Sequence, residues 1–254
     1  MRRFLRSFIN FLLHLHGLAE IFGRSILFAF SRPFYVREIF DQMHFIGVRS
    51  LPIVLLISGF TGMVLALQSG YEMAAYGAKM YVGTLLSLSI VRELGPVLVA
   101  MVVAGRVGAG IAAELGSMNV TEQINAMRAL GTNPVKKLVT TRLVAILAML
   151  PMLTIIGDTT GILGGLIVAV SSLGIGAPFY WSTVVNALTF NDMIIGMIKP
   201  FFFAAVISTV GCYLGFSAKG GTRGVGEATT KSVVISSVLI FILDFLITKV
   251  ILAI

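Results

Sequence analysis

Charged side chains inside long apolar stretches are the residues of this sequence best suited to chemistry. Arg92 and Glu93 interrupt an apolar run from about Val82 to Val103, and Lys199 lies near the start of another run. A charge at the centre of a bilayer costs at least ~2.5 kcal/mol and seldom faces lipid. Neighbouring residues of a helix differ by about 100°, so Arg92 and Glu93 cannot point the same way. Two interpretations stay open. Either these groups line a polar cavity in which Arg92 or Lys199 meets a lipid phosphate, or they pair with other helices and fix the packing.

The remaining acidic residues in apolar runs, and the three histidines, are expected to have structural roles. Asp158 and Asp244 also lie in apolar runs, where buried hydrogen bonds or helix pairing would satisfy them. His14, His16 and His44 lie in the N-terminal region and form no metal-ligand cluster. The sequence therefore predicts no metal site.

The elements that must position these residues are transmembrane helices. Hydrophobic residues make up 57% of the 254, and charged residues only 12%, against about 25% charged in a soluble domain. Five apolar segments run about Val48 to Gln68, Val82 to Val103, Leu143 to Val170, Met193 to Phe216 and Val233 to Ile254. Each is long enough to cross a hydrocarbon core of ~30 Å at ~1.5 Å per residue. We therefore predict an all-α integral membrane protein with five transmembrane helices.

The region before the first span, residues 1–46, differs from the five-span domain, residues 47–254. It alternates arginine with leucine, isoleucine and phenylalanine over its first 30 or so residues. This pattern is typical of an amphipathic helix lying at the headgroup level of a membrane. Ser31-Arg32-Pro33 should end that helix, because proline disfavours the helical conformation at the residue before it.

Lysine and arginine in the connections give the orientation. Connections predicted on one side carry fifteen of these residues, and those on the other side carry two. The basic side is cytoplasmic by the positive-inside rule, so we expect a cytoplasmic N-terminus and a periplasmic C-terminus. This bias also accounts for the net charge of +8 without nucleic-acid binding.

The connection between the second and third spans, Ala104 to Arg142, has the pattern of a helix. Asn119 is placed to cap it, with Glu122 three residues later, as in a capping box. Gly131 should end it, and Pro134 forbids its continuation. Such a helix would be either a docking surface or a plain connector.

Small residues predict where helices approach closely. They form the clusters Gly59-Gly62, Gly105-Gly108-Gly110 and Gly161-Gly164-Gly165. The third apolar segment exceeds the bilayer thickness, so it must tilt, kink near Pro151 or extend beyond the bilayer.

The motifs of this chain resemble those of a known family. The run VRELGPVLVAMVVAGRVGAGIAAELGSMNVTEQINAMRALGTNP looks like the signature region of the MlaE-type permeases. These are membrane subunits of ABC transporters that move phospholipid between bacterial membranes. The likeness extends to SGFTGMVLALQ, LPMLT, GILGG and GVGEATTKSVV, and so covers roughly Gly47 to the end.

The resemblance implies partners. Such permeases are homodimers, and each chain docks a cytoplasmic ABC ATPase through a coupling helix, here about Glu114 to Leu130. By this resemblance, the residues expected to contact the ATPase are Glu114, Glu122, Gln123 and Met127. The chain has no G-x4-G-K-[ST] phosphate loop, so it is expected to be non-catalytic, to bind no cofactor itself and to leave ATP and Mg to the ATPase. The other implied partners are a STAS-domain subunit and a periplasmic MCE-domain protein whose membrane helices flank the permease.

The resemblance also implies a phospholipid cavity lined by the first, second and fourth spans. Apolar residues would hold the acyl chains and polar residues the headgroup. By motif position the lining residues are Leu65, Met73, Tyr76, Arg92, Glu93, Leu94 and Lys199. The implied function is phospholipid movement between the inner and outer membranes, which maintains outer-membrane lipid asymmetry, with the permease in the bacterial inner membrane.

Two alternatives belong to other functional classes. The first is an ion-coupled secondary transporter with an ion relay formed by four residues, Arg92, Glu93, Asp158 and Lys199. Many such folds contain inverted repeats, whereas the RELGP region occurs once and five spans do not divide into equal halves. The second is a membrane scaffold that transports nothing and should hold no lipid when purified.

Overall fold

The computed structural model describes residues 2–32 and 34–253, and all regular structure within them is helical. In chain order, the α-helices are α1 (Arg2–Ala29), α2 (Val36–Ile46), α3 (Leu51–Ala75), α4 (Val82–Ser89), α5 (Gly95–Val103), α6 (Ala109–Val120), α7 (Gln123–Ala129), α8 (Thr140–Ser171), α9 (Ala177–Ala187), α10 (Phe190–Ser217) and α11 (Gly221–Ala253). Three π-helical segments, Ile90–Leu94, Ala104–Gly108 and Val135–Val139, and the 3-10 turn Lys79–Tyr81 lie between some of them.

Five stretches of the described residues are long and apolar enough to cross a membrane. They are Val36–Ala75, Lys79–Val120, Val135–Ser171, Phe190–Ser217 and Gly221–Ile251. Each overlaps one predicted apolar segment, which confirms the all-α membrane architecture. The second stretch has 42 residues, about 63 Å of helix, so it continues well past the hydrocarbon core. Helix α8 has 32 residues and continues through Pro151, which is about 48 Å of helix, so it is also longer than a hydrocarbon core of ~30 Å.

The chain divides into two compact units, each built from three separate segments. The first unit comprises Met1–Ile46, Ala104–Leu147 and Ala204–Leu239, and the second comprises Gly47–Val103, Ala148–Phe203 and Ile240–Ile254. Several long helices therefore contribute residues to both units.

In the first unit, the N-terminal helix packs against the start of the third span. The Thr140 hydroxyl donates to the Ser25 carbonyl at 3.3 Å, and Lys136 Nζ donates to the Arg32 carbonyl at 2.5 Å. Leu27 and Phe30 remain exposed, as expected for a helix that lies against lipid. Helix α1 ends at Ala29, just before Ser31-Arg32-Pro33, of which Pro33 lies outside the described residues.

In the second unit, the first and third spans touch through glycines. A Cβ added to Gly62 would lie 1.8 Å from the Gly161 carbonyl oxygen, and one added to Gly164 would lie 2.3 Å from the Gly59 oxygen. The prediction that these clusters lie where helices approach closely is confirmed. Because glycine has no side chain, the two backbones can meet. Close van der Waals packing of this kind stabilises helix association in lipid, where no hydrophobic force acts between helices.

The remaining predicted cluster, Gly105-Gly108-Gly110, makes looser contacts than the other two. In the first unit, a Cβ on Gly108 would meet Ile207 at 3.4 Å, an ordinary contact with a neighbouring helix. A Cβ on Gly105 would meet nothing within 4 Å, and one on Gly110 only the Phe45 ring at 3.9 Å. The prediction of close packing is therefore wrong for Gly105 and Gly110, which face away from their neighbours.

Helix α9, which sequence reasoning missed, is anchored in the core of the second unit. Its Tyr180 is fully buried and packs in a cluster with Leu86, Ile90 and Leu173. The Tyr180 hydroxyl donates to the Ile162 carbonyl at 3.0 Å. Burial raises the pKa of Tyr180 above its ordinary value, so the hydroxyl stays protonated as a donor.

Candidate functional site

Four polar side chains meet in the second unit and form what we call the charge cluster: Glu93, Lys199, Asp244 and Thr248. Lys199 Nζ donates to Glu93 Oε2 at 2.5 Å and to Thr248 Oγ1 at 2.8 Å. The same nitrogen lies 2.9 Å from Asp244 Oδ1 in an ion pair. The Thr248 hydroxyl donates to Glu93 Oε1 at 3.1 Å. The second, fourth and fifth spans each supply part of this network.

Within the charge cluster the basic side chain is buried, and the two acidic side chains are partly exposed. The Lys199 side chain is 0% exposed, whereas Asp244 is 19% and Glu93 is 40% exposed. A buried ammonium is tolerated when it is paired and hydrogen-bonded, which this network provides. Glu93 is the member that a ligand would reach first.

Arg92 has a different partner from its neighbour Glu93. Its Nε donates to Asp192 Oδ1 at 2.6 Å, and its Nη2 also contacts that oxygen. The Thr189 backbone N–H donates to Asp192 Oδ2 at 2.9 Å, and the Asp192 N–H reaches the Thr189 hydroxyl at 3.4 Å. This reciprocal pair is a capping box at the start of α10. Arg92 thus has a partner on another helix, as the second interpretation predicts, but its side chain is 42% exposed and its role in lipid binding stays a prediction.

The local conformation of the second span separates the two charges. Residues Ile90–Leu94 are π-helical, and the Gly95 N–H donates to the Ile90 carbonyl, five residues back. Short π-helical segments often occur at functional sites. Immediately after it, Gly95 leaves room for Asp158, since a Cβ there would lie 1.6 Å from Asp158 Oδ1. The segment thus sends Arg92 and Glu93 to different partners, as the 100° argument predicts.

The other predicted cavity residues lie apart from the charge cluster. Leu65 and Met73 pack against the buried cluster that contains Leu86 and Tyr180. Tyr76 is 87% exposed, and Leu94 lines a small crevice formed by the first, second and third spans. Of the seven predicted lining residues, the structure joins Glu93 to Lys199. The lipid-lining role of all seven residues stays a prediction.

Sequence reasoning missed Asp192 and Thr248 and gave Asp244 a structural role. A local signal existed for Asp192, because Thr189 and Asp192 have the spacing of a capping box. Asp244 and Thr248 lie four residues apart and so share one face of the fifth span. No local signal indicated that this face would meet Glu93.

In the first unit, the predicted coupling helix is two helices with a break between them. Helix α6 continues through Asn119, whose amide donates to the Ala218 carbonyl at 3.0 Å. The predicted capping role of Asn119 is therefore wrong, because its side chain bonds to another loop. The break falls at Glu122, which has a left-handed backbone with φ +60°. Left-handed non-glycine residues are strained and are found at functional sites.

The end of α7 matches the prediction made for Gly131. This glycine has φ +76°, its N–H donates to Arg128, and the Thr132 N–H donates to the Met127 carbonyl at 3.0 Å. These two bonds form a Schellman motif. Helix α7 therefore has a fixed length and a fixed exit direction.

The side chains of α7 divide into one buried residue and a mainly exposed remainder. Ile124 is buried and holds α7 to the first unit, while Glu122 and Gln123 are exposed and Met127 is half-buried. Leu130, directly after the helix, is 83% exposed. An exposed leucine beside a rigid polar helix is a candidate docking contact that sequence reasoning missed.

Glu114, the fourth predicted coupling residue, is tied to the third span. Its Oε1 lies 2.8 Å from Arg142 Nη2, and Arg142 Nη1 donates to the Leu138 carbonyl at 2.8 Å. Arg142 is almost fully buried, while Glu114 is half exposed. The pair fixes the orientation of α6 against the start of α8. No set of three or more His, Cys, Asp or Glu in residues 2–32 and 34–253 is placed to hold a metal ion.

These features define a polytopic helical membrane protein with a polar cluster inside its spans. The chain belongs to the MlaE permease family, whose model, described as permease MlaE, matches residues 39–250. The resemblance stated from the sequence motifs is therefore confirmed.

Curated relatives extend the match to nearly the whole chain. A probable ABC transporter permease protein of Rickettsia typhi is 41% identical over 243 residues, covering 93% of this chain and 94% of the relative. A probable ABC transporter permease protein of Synechocystis is 42% identical over 209 residues, covering 82% and 80%. The intermembrane phospholipid transport system permease protein MlaE of Haemophilus influenzae is 36% identical over 210 residues, also covering 82% and 80%.

The Arg92–Asp192 pair should show measurable coupling. Arg92→Gln and Asp192→Asn are each expected to lower the free energy of unfolding by about 1–3 kcal/mol, because each leaves the other side chain of the ion pair without an opposite charge. The double variant should lose less than the sum of the two. A double-mutant cycle on thermal unfolding in detergent measures this coupling. Additive losses would show that the two side chains do not interact.

Proposed function

We propose that this chain is the permease subunit of an ABC transporter that moves phospholipid between the inner and outer membranes of a bacterium. The Haemophilus influenzae relative is named for intermembrane phospholipid transport, which supports the substrate class. Such transport would maintain the lipid asymmetry of the outer membrane. The chain would lie in the inner membrane with its N-terminus in the cytoplasm and its C-terminus in the periplasm, as the lysine and arginine bias indicates.

The charge cluster is the observation that carries this proposal. A transported lipid must move a polar headgroup through a protein interior at bilayer depth, where a polar surface is otherwise absent. Glu93 offers such a surface, because it is partly exposed within the second span and held in place by Lys199 and Thr248.

Energy would come from a separate ATPase that docks on α7. The relatives from Rickettsia and Synechocystis are named as ABC transporter permeases, and this sequence lacks a phosphate-binding loop. The chain is therefore proposed to be non-catalytic, with ATP and Mg on the ATPase. Helix α7 suits docking because Ile124 and the Schellman motif fix it while Glu122, Gln123 and Leu130 stay exposed.

The complete transporter would contain two copies of this chain. A STAS-domain subunit and a periplasmic MCE-domain protein with flanking membrane helices would complete it. In the proposed mechanism, ATP binding or hydrolysis moves α7 and α6, and the Glu114–Arg142 pair transmits that movement to the third span. The width of a periplasm-facing cavity between the two copies then changes, and lipid is taken up or expelled.

Replacing Leu130 with aspartate tests the docking surface. The variant Leu130→Asp places a charge where an apolar contact is proposed, and we expect at least tenfold weaker co-purification with the cognate ABC ATPase. ATP-driven transfer of fluorescent phospholipid between donor and acceptor vesicles should fall in parallel. Thermal unfolding of the permease alone should not change, because Leu130 packs against little of its own chain.

The matched control is Thr222→Asp, which adds the same charge at an exposed site in the first turn of α11. It should leave co-purification and lipid transfer intact. Normal ATPase binding by Leu130→Asp would remove α7 as the coupling element.

The same reconstituted system separates the alternatives. An ion-coupled secondary transporter should move substrate under an ion gradient without ATP, and its transport should not depend on α7. A non-transporting scaffold should retain no phospholipid after purification. Lipid transfer that requires both ATP and an intact Leu130 contradicts both alternatives.

A further inference from the structure

The charge cluster contains one more acid than base. Glu93 and Asp244 contribute two carboxylates, and Lys199 is the basic side chain that both of them contact. Arg92 does not compensate the excess, because Asp192 already holds its guanidinium group. When all groups are ionised, the cluster therefore has an excess negative charge at bilayer depth. Such a charge is costly unless a cation or a proton accompanies it.

Lys199 is enclosed by two hydrogen-bond acceptors and by the Asp244 carboxylate, which leaves no open approach for an anionic ligand. Its ammonium group has three N–H bonds, and its neighbours are Glu93 Oε2, Thr248 Oγ1 and Asp244 Oδ1, all within 2.9 Å. The side chain is also fully buried. A phosphate could bind Lys199 only by displacing a carboxylate from it. The arrangement therefore favours a positively charged ligand group over a phosphate at this point.

Glu93 presents the excess charge in a fixed orientation. The Thr248 hydroxyl donates to its Oε1, and Lys199 donates to its Oε2. Each carboxylate oxygen accepts about two hydrogen bonds, so the exposed side of the carboxylate retains acceptor capacity. A ligand N–H or a quaternary ammonium can approach there without rearranging the network.

We infer that the charge cluster binds the ammonium group of a zwitterionic phospholipid headgroup, with Glu93 as the direct contact. The inference rests on the proposed lipid-transport function and adds a charge requirement to its substrate. Phosphatidylethanolamine and phosphatidylcholine carry such a group. Phosphatidylglycerol does not, and its net negative charge is repelled by the uncompensated carboxylate.

Competitive lipid retention tests this inference. The full chain is incubated in detergent with equimolar phosphatidylethanolamine and phosphatidylglycerol of identical acyl chains, and native mass spectrometry measures the bound lipid. We expect the ethanolamine lipid to be retained roughly fivefold or more over the glycerol lipid, the size of effect that one partly desolvated charge pair produces. Phosphatidylcholine should compete in the same way.

Variants connect the preference to the cluster. Glu93→Gln leaves one carboxylate for one ammonium, so the headgroup preference should fall to about one. Asp244→Asn neutralises the cluster by a second route if Glu93→Gln assembles poorly. Glu72→Gln removes the same charge from an exposed position on α3 outside the cluster, and it should keep the preference.

Several outcomes would overturn the inference. Equal retention of the two lipids by the unaltered chain is one, since the excess charge would then be balanced by a proton. An unchanged preference in both Glu93→Gln and Asp244→Asn is another, since the preference would then arise outside the charge cluster. A preference abolished by EDTA would assign the charge to a divalent cation. If the chain retains no phospholipid and its complex transfers none, the proposed function fails, which differs from loss of selectivity alone.

Discussion

Replacing Lys199 with methionine is expected to be the most destabilising single change in this protein. The variant Lys199→Met keeps the volume of the side chain but leaves Glu93 and Asp244 facing each other without a cation. Breaking a buried ion pair on one side costs about 3–5 kcal/mol. For a chain of this size, the midpoint of thermal unfolding should fall by roughly 5–15 °C. Fluorescence-detected size-exclusion chromatography after heating measures this shift.

Two further variants show whether charge is the cause. Lys249→Met makes the same substitution at an exposed position of the fifth span and should change the midpoint little. Adding Glu93→Gln and Asp244→Asn to Lys199→Met removes both uncompensated charges and should restore most of the lost stability. A triple variant as unstable as Lys199→Met would show that packing volume, not charge, makes Lys199 important.

A single methyl group on Gly62 is expected to separate the first span from the third. In Gly62→Ala the new Cβ would lie 1.8 Å from the Gly161 carbonyl oxygen. The atoms that this Cβ would meet belong to the Gly161 backbone, so no flexible side chain can move away. Overpacking of this kind costs about 1–3 kcal/mol or more, and the helices must move apart along their contact. Loss of thermal stability and of the monodisperse peak in detergent measures the effect.

The control for Gly62→Ala is a glycine at which an added methyl group should not lower stability. A Cβ on Gly226, in α11, meets nothing within 4 Å. Gly226→Ala should therefore be neutral or stabilising by up to ~1 kcal/mol, because alanine has the higher helix propensity. If both glycine variants stabilise the protein, the two spans do not meet at Gly62.

The transmembrane architecture was predictable because hydropathy is a local property. Twenty apolar residues can satisfy their backbone in lipid only as a helix, so composition and segment length sufficed to find the five spans. That Gly62 and Gly161 lie in close helix contacts followed from a similarly local rule about small residues in lipid, although the pairing of the two was not predicted. The end of α7 at Gly131 was predictable because a left-handed C-terminal residue strongly prefers glycine.

The partners of the charged residues were not predictable in the same way. Asp192 is 100 residues from Arg92, and Thr248 is 155 residues from Glu93. Which helix faces meet depends on how the spans pack, and no local pattern contains that information. The capping role predicted for Asn119 was wrong for the same reason, because its hydrogen-bond acceptor is the Ala218 carbonyl in a distant connection. Helix α9 was missed because it is short and lies where a loop was expected.

The π-helical segment Ile90–Leu94 also bears on how this protein can change over evolutionary time. A π turn holds one residue more than an α turn, so losing a single residue there would restore regular α-helix and leave α4 and α5 in nearly the same rotational register. Losing a residue from the regular α-helix on either side would instead rotate one part of the second span by about 100° against the other and dismantle its contacts on one side all at once. A one-residue deletion in the second span should therefore preserve helix packing at this segment and disrupt it elsewhere.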